Sequence, residues 1–180
     1  LRQNKEQGAY TTYLASYGVP YIFANLSGGD CYDVLDLSHE FGHAVSYYVQ
    51  TKLRGLPDFS ASLDTAEVFS TSMELLTTPY YARFYGQEAD LASRYALLNT
   101  LDSMVTSAIY DEFNERLYTE LPETPEEICR IYDQVVYGYS GNNLTEAYDI
   151  TCGGQYWILI NHFFSSPFYS IDYALADLVA

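Results

Sequence analysis

Residues 35–45 read LDLSHEFGHAV, in which His39, Glu40 and His43 form H-E-x-x-H. On an α-helix, positions i and i+4 lie one turn apart on the same face, so both imidazoles can reach one ion. Glu40 sits beside them, where its carboxylate can take a proton from metal-bound water. The chain holds three histidines in all, and two of them are here. The chemistry implied is metal-assisted hydrolysis. The plainer alternative is a buried helix whose histidines are hydrogen-bonded core residues, and further ligands must decide between the two.

Hydrolytic zinc has three protein ligands and one open position. Downstream, DTAEVFSTSMELL carries Glu67 and Glu74 two turns apart on one helix face. From the residues alone, either carboxylate can complete the set. Asp64-x-x-Glu67 also fits a helix-capping box, worth about 1 kcal/mol and no chemistry. Glu74 also fits a solvent-facing position. Against both stands the order of the segments, a carboxylate helix placed so that it can pack on the motif helix.

These residues need elements to hold them. A β-type run, Tyr21 to Leu26, lies between Gly18-Val19-Pro20 and Gly28-Gly29. Asp30 is then expected to cap a helix from about Cys31 to Leu53, with Asp33 near its positive end. Val34, Leu37, Phe41, Val45 and Tyr48 recur at helical spacing, and Leu35, Ala44 and Val49 add apolar surface on other sides, so the helix is expected to be buried. Gly42 costs roughly 1 kcal/mol relative to Ala inside a helix, which close packing of another element would justify.

After the loop RGLPDFSAS, a second helix is expected from about Asp64 to Leu76, ending before Pro79. Between Gln87 and Leu121 there is neither Gly nor Pro, which predicts one very long helix or two. Its core-facing residues are expected to be Leu91, Tyr95, Leu98, Leu101, Val105 and Ile109. TPEEICRIYDQVVYGYSG is a punctuated helix: Thr124 as N-cap, Pro125 first, Glu127 closing a capping box, Gly138 ending it. A last helix is expected to begin at Ser166-Pro167. The fold class predicted is mainly α, with a small β element ahead of the H-E-x-x-H helix.

Composition narrows the field. The 180 residues, 48% apolar and 18% charged, suit a globular chain of about one domain. A net charge of −16 argues against nucleic acid and anionic membrane surfaces as partners. No run approaches a membrane span. Cys31, Cys129 and Cys152 are an odd number in no zinc-ligand spacing, so they read as reduced thiols of a cytoplasmic protein. The first residue is not Met, and DYALADLVA closes the chain without a helix stop signal. The expectation is a piece of a longer protein.

Taken together, these segments resemble the thimet oligopeptidase and oligoendopeptidase F family of zinc metallopeptidases. The likeness is carried by GAY at 8–10, PYIFANLSGGDCYDVLDLSHEFGHA at 20–44, AEVFSTSMELL at 66–76 and HFFSSPFYSIDYALA at 162–176. They span nearly the whole chain in the family's order. HEFGHA followed by a D-x-x-E-x-x-S-x-x-x-E helix is far more specific than H-E-x-x-H alone.

The resemblance implies a helical zincin-type catalytic domain with one Zn2+ on His39, His43 and Glu67. It implies Glu40 as general base, Glu74 as a carboxylate supporting the ligands, and His162, Tyr169 and Tyr173 as substrate-binding groups. Three departures stand out. Ser46 occupies a position where relatives often carry a further histidine, and Ser170 replaces a tyrosine of the family's F-Y-Y-I-D-Y. Residues 1–180 also match only the C-terminal catalytic part, without the N-terminal helical lobe.

The expected activity is endopeptidase cleavage of short peptides. A zinc carboxypeptidase of related fold and a non-catalytic fragment acting as an interaction module are the alternatives. Without the lobe, apolar surface is expected to be exposed, favouring self-association.

Overall fold

The structure, a computed structural model, describes residues 8–26, 28, 31–53, 63–140 and 154–180. Its Cα traces form two compact units. One comprises residues 1–100 with 175–180, and the other residues 101–174. Asp30, the loop of residues 54–62 and Cys152 lie outside the described residues, so the expectations placed on them stay there.

The first unit opens with an antiparallel hairpin, β1 (Ala9–Leu14) and β2 (Val19–Ala24), in register from Ala9↔Ala24 to Leu14↔Val19. Strand β2 matches the anticipated run, shifted toward its N-terminus. Strand β1 was not anticipated. Its AYTTYL holds no strict apolar alternation, and what makes it a strand is its partner: Tyr10 stacks on Phe23 at 5.1 Å between ring centroids. The turn closes because Gly18 takes φ +65°, where its amide donates to Leu14 O at 2.9 Å.

Helix α1 (Cys31–Tyr48) follows, and its last turn loosens into a π-type turn, Val49–Leu53. Asp33 in its first turn accepts a hydrogen bond from the Gly28 amide at 2.6 Å. The helix is buried on one side only, with Val34 packed beside the small core, and not on all sides as expected. Leu37, Phe41 and Tyr48 are exposed, whereas Leu35, Ser38, Glu40, Ala44 and Ser46 are buried. Helical spacing distinguishes two faces but does not say which one a neighbour covers. Here α2 (Leu63–Thr77) and the hairpin cover the small and polar face. The apolar face instead borders an open cavity of about 560 Å³ with Met73 and Phe84.

Pro79 sits in a 3-10 turn, Thr78–Tyr80, and α3 (Tyr81–Tyr85) leads to α4 (Ala89–Glu120). The Gly- and Pro-free stretch is therefore one helix of 32 residues. Its anticipated core side holds only in part: Tyr95 and Ile109 pack against buried clusters, but Leu91, Leu98, Leu101 and Val105 are exposed, while Ala92, Ser107, Phe113 and Asn114 are buried. Within the first unit, Leu35, Tyr81 and Ala92 form a small core.

In the second unit, Phe113 of α4 packs with Ile131, Tyr132 and Val136 of α5 (Pro125–Tyr139), flanked by Trp157 and Phe163. The capping box of α5 forms as expected. Thr124 Oγ1 accepts from the Glu127 amide, and the Glu127 carboxylate accepts from the Thr124 amide. Gly138 does not end α5, which continues to Tyr139 with Ser140 as C-cap. Nor does the last helix begin at Ser166-Pro167. A short helix, α6 (His162–Ser165), precedes a turn, and α7 runs Ser170–Val179. Phe168 at φ +66° interrupts the path, which prevents one continuous helix. No helix among the described residues is long and apolar enough to cross a membrane.

Candidate metal centre

Helices α1 and α2 approach so closely that Gly42 has no room for a side chain. A Cβ there would lie 2.4 Å from Phe69 O and 2.5 Å from Ser70 Cα. This is the packing that justifies a glycine inside the motif helix. On α2, Glu67, Ser70 and Thr71 are buried at i, i+3 and i+4, a polar face turned to the polar face of α1.

That contact brings His39, His43 and Glu67 together, with their ligand atoms all within 4.8 Å of one another. Glu67 Oε2 lies 3.2 Å from His39 Nε2 and 3.5 Å from His43 Nε2. A tetrahedral ion with bonds of about 2.0–2.1 Å needs neighbouring donors roughly 3.3 Å apart. Glu67 meets both imidazoles at about this spacing, and two imidazoles with a carboxylate are a donor set that fits zinc. Glu67 is only 2% exposed, so it is no surface capping residue. Ser70 Oγ donates to Glu67 Oε2 at 2.7 Å and fixes the carboxylate on its own helix.

Glu74 contacts the same ring from its other edge, with Oε1 2.7 Å from His39 Nδ1. When Nε2 faces an ion, Nδ1 carries the proton and donates it to Glu74, which sets the tautomer. Burial lowers the pKa of His39, but the hydrogen bonds and charges of Glu67 and Glu74 outweigh it and raise the value to about 10. Burial keeps His43 below the ordinary histidine range.

Glu40 is buried beside this group. Burial pushes its carboxyl above the usual carboxylate range, against a hydrogen bond from Thr11 that favours the charged form. Thr11 Oγ1 donates to Glu40 Oε2 at 2.6 Å, across from β1. Neither Thr11 nor Ser70 was assigned a role from sequence. Ser70 stands inside the D-x-x-E-x-x-S-x-x-x-E pattern, and Thr11 directly follows GAY, so adjacency to those motifs was the available signal. Ser46, where relatives often carry histidine, is buried and accepts a hydrogen bond from Gln50 Nε2.

The other three predicted residues form a cluster of their own in the second unit. His162 opens α6, Tyr169 lies in the turn before α7, and Tyr173 sits within α7. The ring centroids of Tyr169 and Tyr173 are 5.3 Å apart, and His162 is 5.4 Å from Tyr169 and 6.3 Å from Tyr173.

The sequence model of peptidase family M3 matches residues 1–176. Oligopeptidase PepF of Bacillus subtilis (strain 168) is 29% identical over 181 residues, which cover 96% of this chain and 26% of that protein. The solved structure of PZ peptidase A with inhibitor 2 superposes at a TM-score of 0.86 and 29% identity, over 98% of this chain and 31% of that one. The chain thus spans between a quarter and a third of the length of these relatives. It is a member of peptidase family M3.

Proposed function

We propose that residues 1–180 are the C-terminal catalytic part of an oligopeptidase that hydrolyses short peptides with one zinc ion. The observation that carries this reading is the position of Glu67 Oε2, 3.2 Å from His39 Nε2 and 3.5 Å from His43 Nε2, with ligand atoms of all three residues within 4.8 Å of one another. A zinc ion held there supplies a Lewis acid and lowers the pKa of the water it binds toward ~7. His39 and His43, on consecutive turns of α1, and Glu67, on α2, would hold the ion. Glu74 keeps the His39 ring turned so that Nε2 presents its lone pair.

Glu40 moves the proton. Its carboxylate takes a proton from the attacking water as the scissile carbonyl becomes tetrahedral, then returns it to the leaving amine. Burial of Glu40 favours the first of these transfers, because a carboxylate whose pKa is held above the ordinary range is a stronger base toward the proton of the attacking water. The developing oxyanion needs a donor, for which we assign Tyr173 or Tyr169, with His162 as the further donor of that cluster. The peptide is read as lying extended along β2, where backbone pairing gives firm orientation with loose side-chain preference.

The test is metal analysis paired with peptide cleavage. The expected result is one zinc per chain, internal peptide fragments as products, and a Glu40→Gln variant that keeps zinc but loses hydrolysis. Release of terminal residues alone would make the chain a carboxypeptidase. Full metal binding without cleavage of any peptide would leave a non-catalytic module.

A further inference from the structure

Glu40 hangs from α1 by a flexible side chain, and a general base must present one oxygen in one direction. Among the described residues, the hydrogen-bond donor to its carboxylate comes from outside the helix. Thr11 on β1 places Oγ1 2.6 Å from Glu40 Oε2 and 2.9 Å from the Glu40 carbonyl oxygen. A hydroxyl has one proton, and the shorter contact has the length of a charge-assisted bond, about 2.5–2.7 Å. The donor is β-branched, so its own χ1 is confined by the strand backbone. Glu40 is 6% exposed, so few waters compete for the oxygen that Thr11 occupies.

We propose that Thr11 is a positioning residue for the general base: its hydroxyl holds Glu40 Oε2 and leaves Oε1 as the oxygen that accepts and returns the proton. The proposal rests on the reading of Glu40 as base given above. It also ties the hairpin to the chemistry. Thr11 stands opposite Ile22 in the register of β1 and β2, so the strand assigned to the peptide is one cross-strand step from the base. A slip of β1 by one residue would turn this hydroxyl to the other face of the hairpin and release the carboxylate.

The test uses Thr11→Val, which keeps the shape and removes the hydroxyl, and Thr11→Ser, which keeps the hydroxyl. Each is made in the wild-type chain and in Glu40→Ala. In metal-free protein, Thr11→Val is expected to lower the thermal midpoint by about 3–6 °C in the wild-type background. The drop should be clearly smaller in Glu40→Ala, with Thr11→Ser near its parent in both. Equal drops in the two backgrounds would overturn the contact as a carboxylate-holding one. Should Thr11→Val fail to fold, Thr11→Ala is read by the same cycle.

With zinc bound, Thr11→Val is expected to lower kcat about 10- to 100-fold at unchanged KM and zinc content, and Thr11→Ser to restore it within about two-fold. An unchanged kcat in Thr11→Val, beside an inactive Glu40→Gln, would sink the proposal while leaving the peptidase reading intact. A wild-type chain that cleaves nothing would sink the peptidase reading instead, and the unfolding cycle would still decide whether Thr11 holds Glu40.

Discussion

Glu74 stands with Oε1 2.7 Å from Nδ1 of His39, while Glu67 reaches Nε2 of the same ring at 3.2 Å. One imidazole is therefore gripped at both edges by carboxylates two helical turns apart on α2. The two carboxylates differ in what they can do for an ion, since Glu67 also lies 3.5 Å from His43 and Glu74 touches the ring edge that faces away.

The first prediction follows from that asymmetry. Glu67→Ala should strip the metal, because two imidazoles alone hold zinc poorly. Glu74→Gln should lower zinc affinity by about 10–100-fold yet still fill at saturating zinc. Metal titration of both variants checks this. The opposite order would make Glu74 the ligand.

The second concerns pH without metal. The His39 pKa is raised from 6.5 to about 10 in the folded chain. A raised pKa means that the folded state holds the proton more tightly. Its stabilisation is therefore full below the ordinary histidine pKa of about 6.5, declines as pH rises, and is gone above the folded value. In the presence of a chelator, the thermal midpoint should fall between pH 7 and 9.5, and His39→Ala should flatten that fall. Parallel profiles for the two proteins would count against the carboxylate grip.

Gly42→Ala supplies a third. A Cβ would enter the main chain of α2 at Phe69 and Ser70, so the helices must separate. Helix propensity favours Ala by roughly 1 kcal/mol, but overpacking costs about 1–3 kcal/mol. The variant should be less stable by denaturant titration and should bind zinc more weakly. A gain in both would mean that the helices can shift without cost.

A fourth separates two tyrosines. Tyr169→Phe and Tyr173→Phe should be unequal, with one lowering kcat about 100-fold at little change in KM, the pattern of a hydroxyl used only in the transition state. Tyr173 is the favoured one, as it lies inside α7 whereas Tyr169 precedes it. If steady-state kinetics find both nearly silent, His162 is left as the donor of that cluster.

What could be read from the sequence depended on range. The H-E-x-x-H helix, the Glu67–Glu74 spacing and the Thr124 capping box are all set within one or two turns of chain, and all three formed. The reason for Gly42 was also legible in kind, as a close approach. Burial was not. The apolar residues of α1 and α4 keep helical spacing, yet Leu37, Phe41, Leu91 and Leu98 are exposed because the covering elements pack on the other side. Strand β1 and the Thr11–Glu40 bond depend on pairing between distant segments, and no local pattern in AYTTYL announces either.

The bare backbone contact at Gly42 also has a consequence for redesign. Where two helices meet main chain to main chain, their separation is set by atoms that no rotamer change can move. The donor spacing at His39, His43 and Glu67 is then insulated from side chains elsewhere on α1. Outward positions such as Leu37 and Tyr48 become editable sites, open to polar replacements for solubility or to attachment of probes, while the gap between the helices stays as the glycine fixes it.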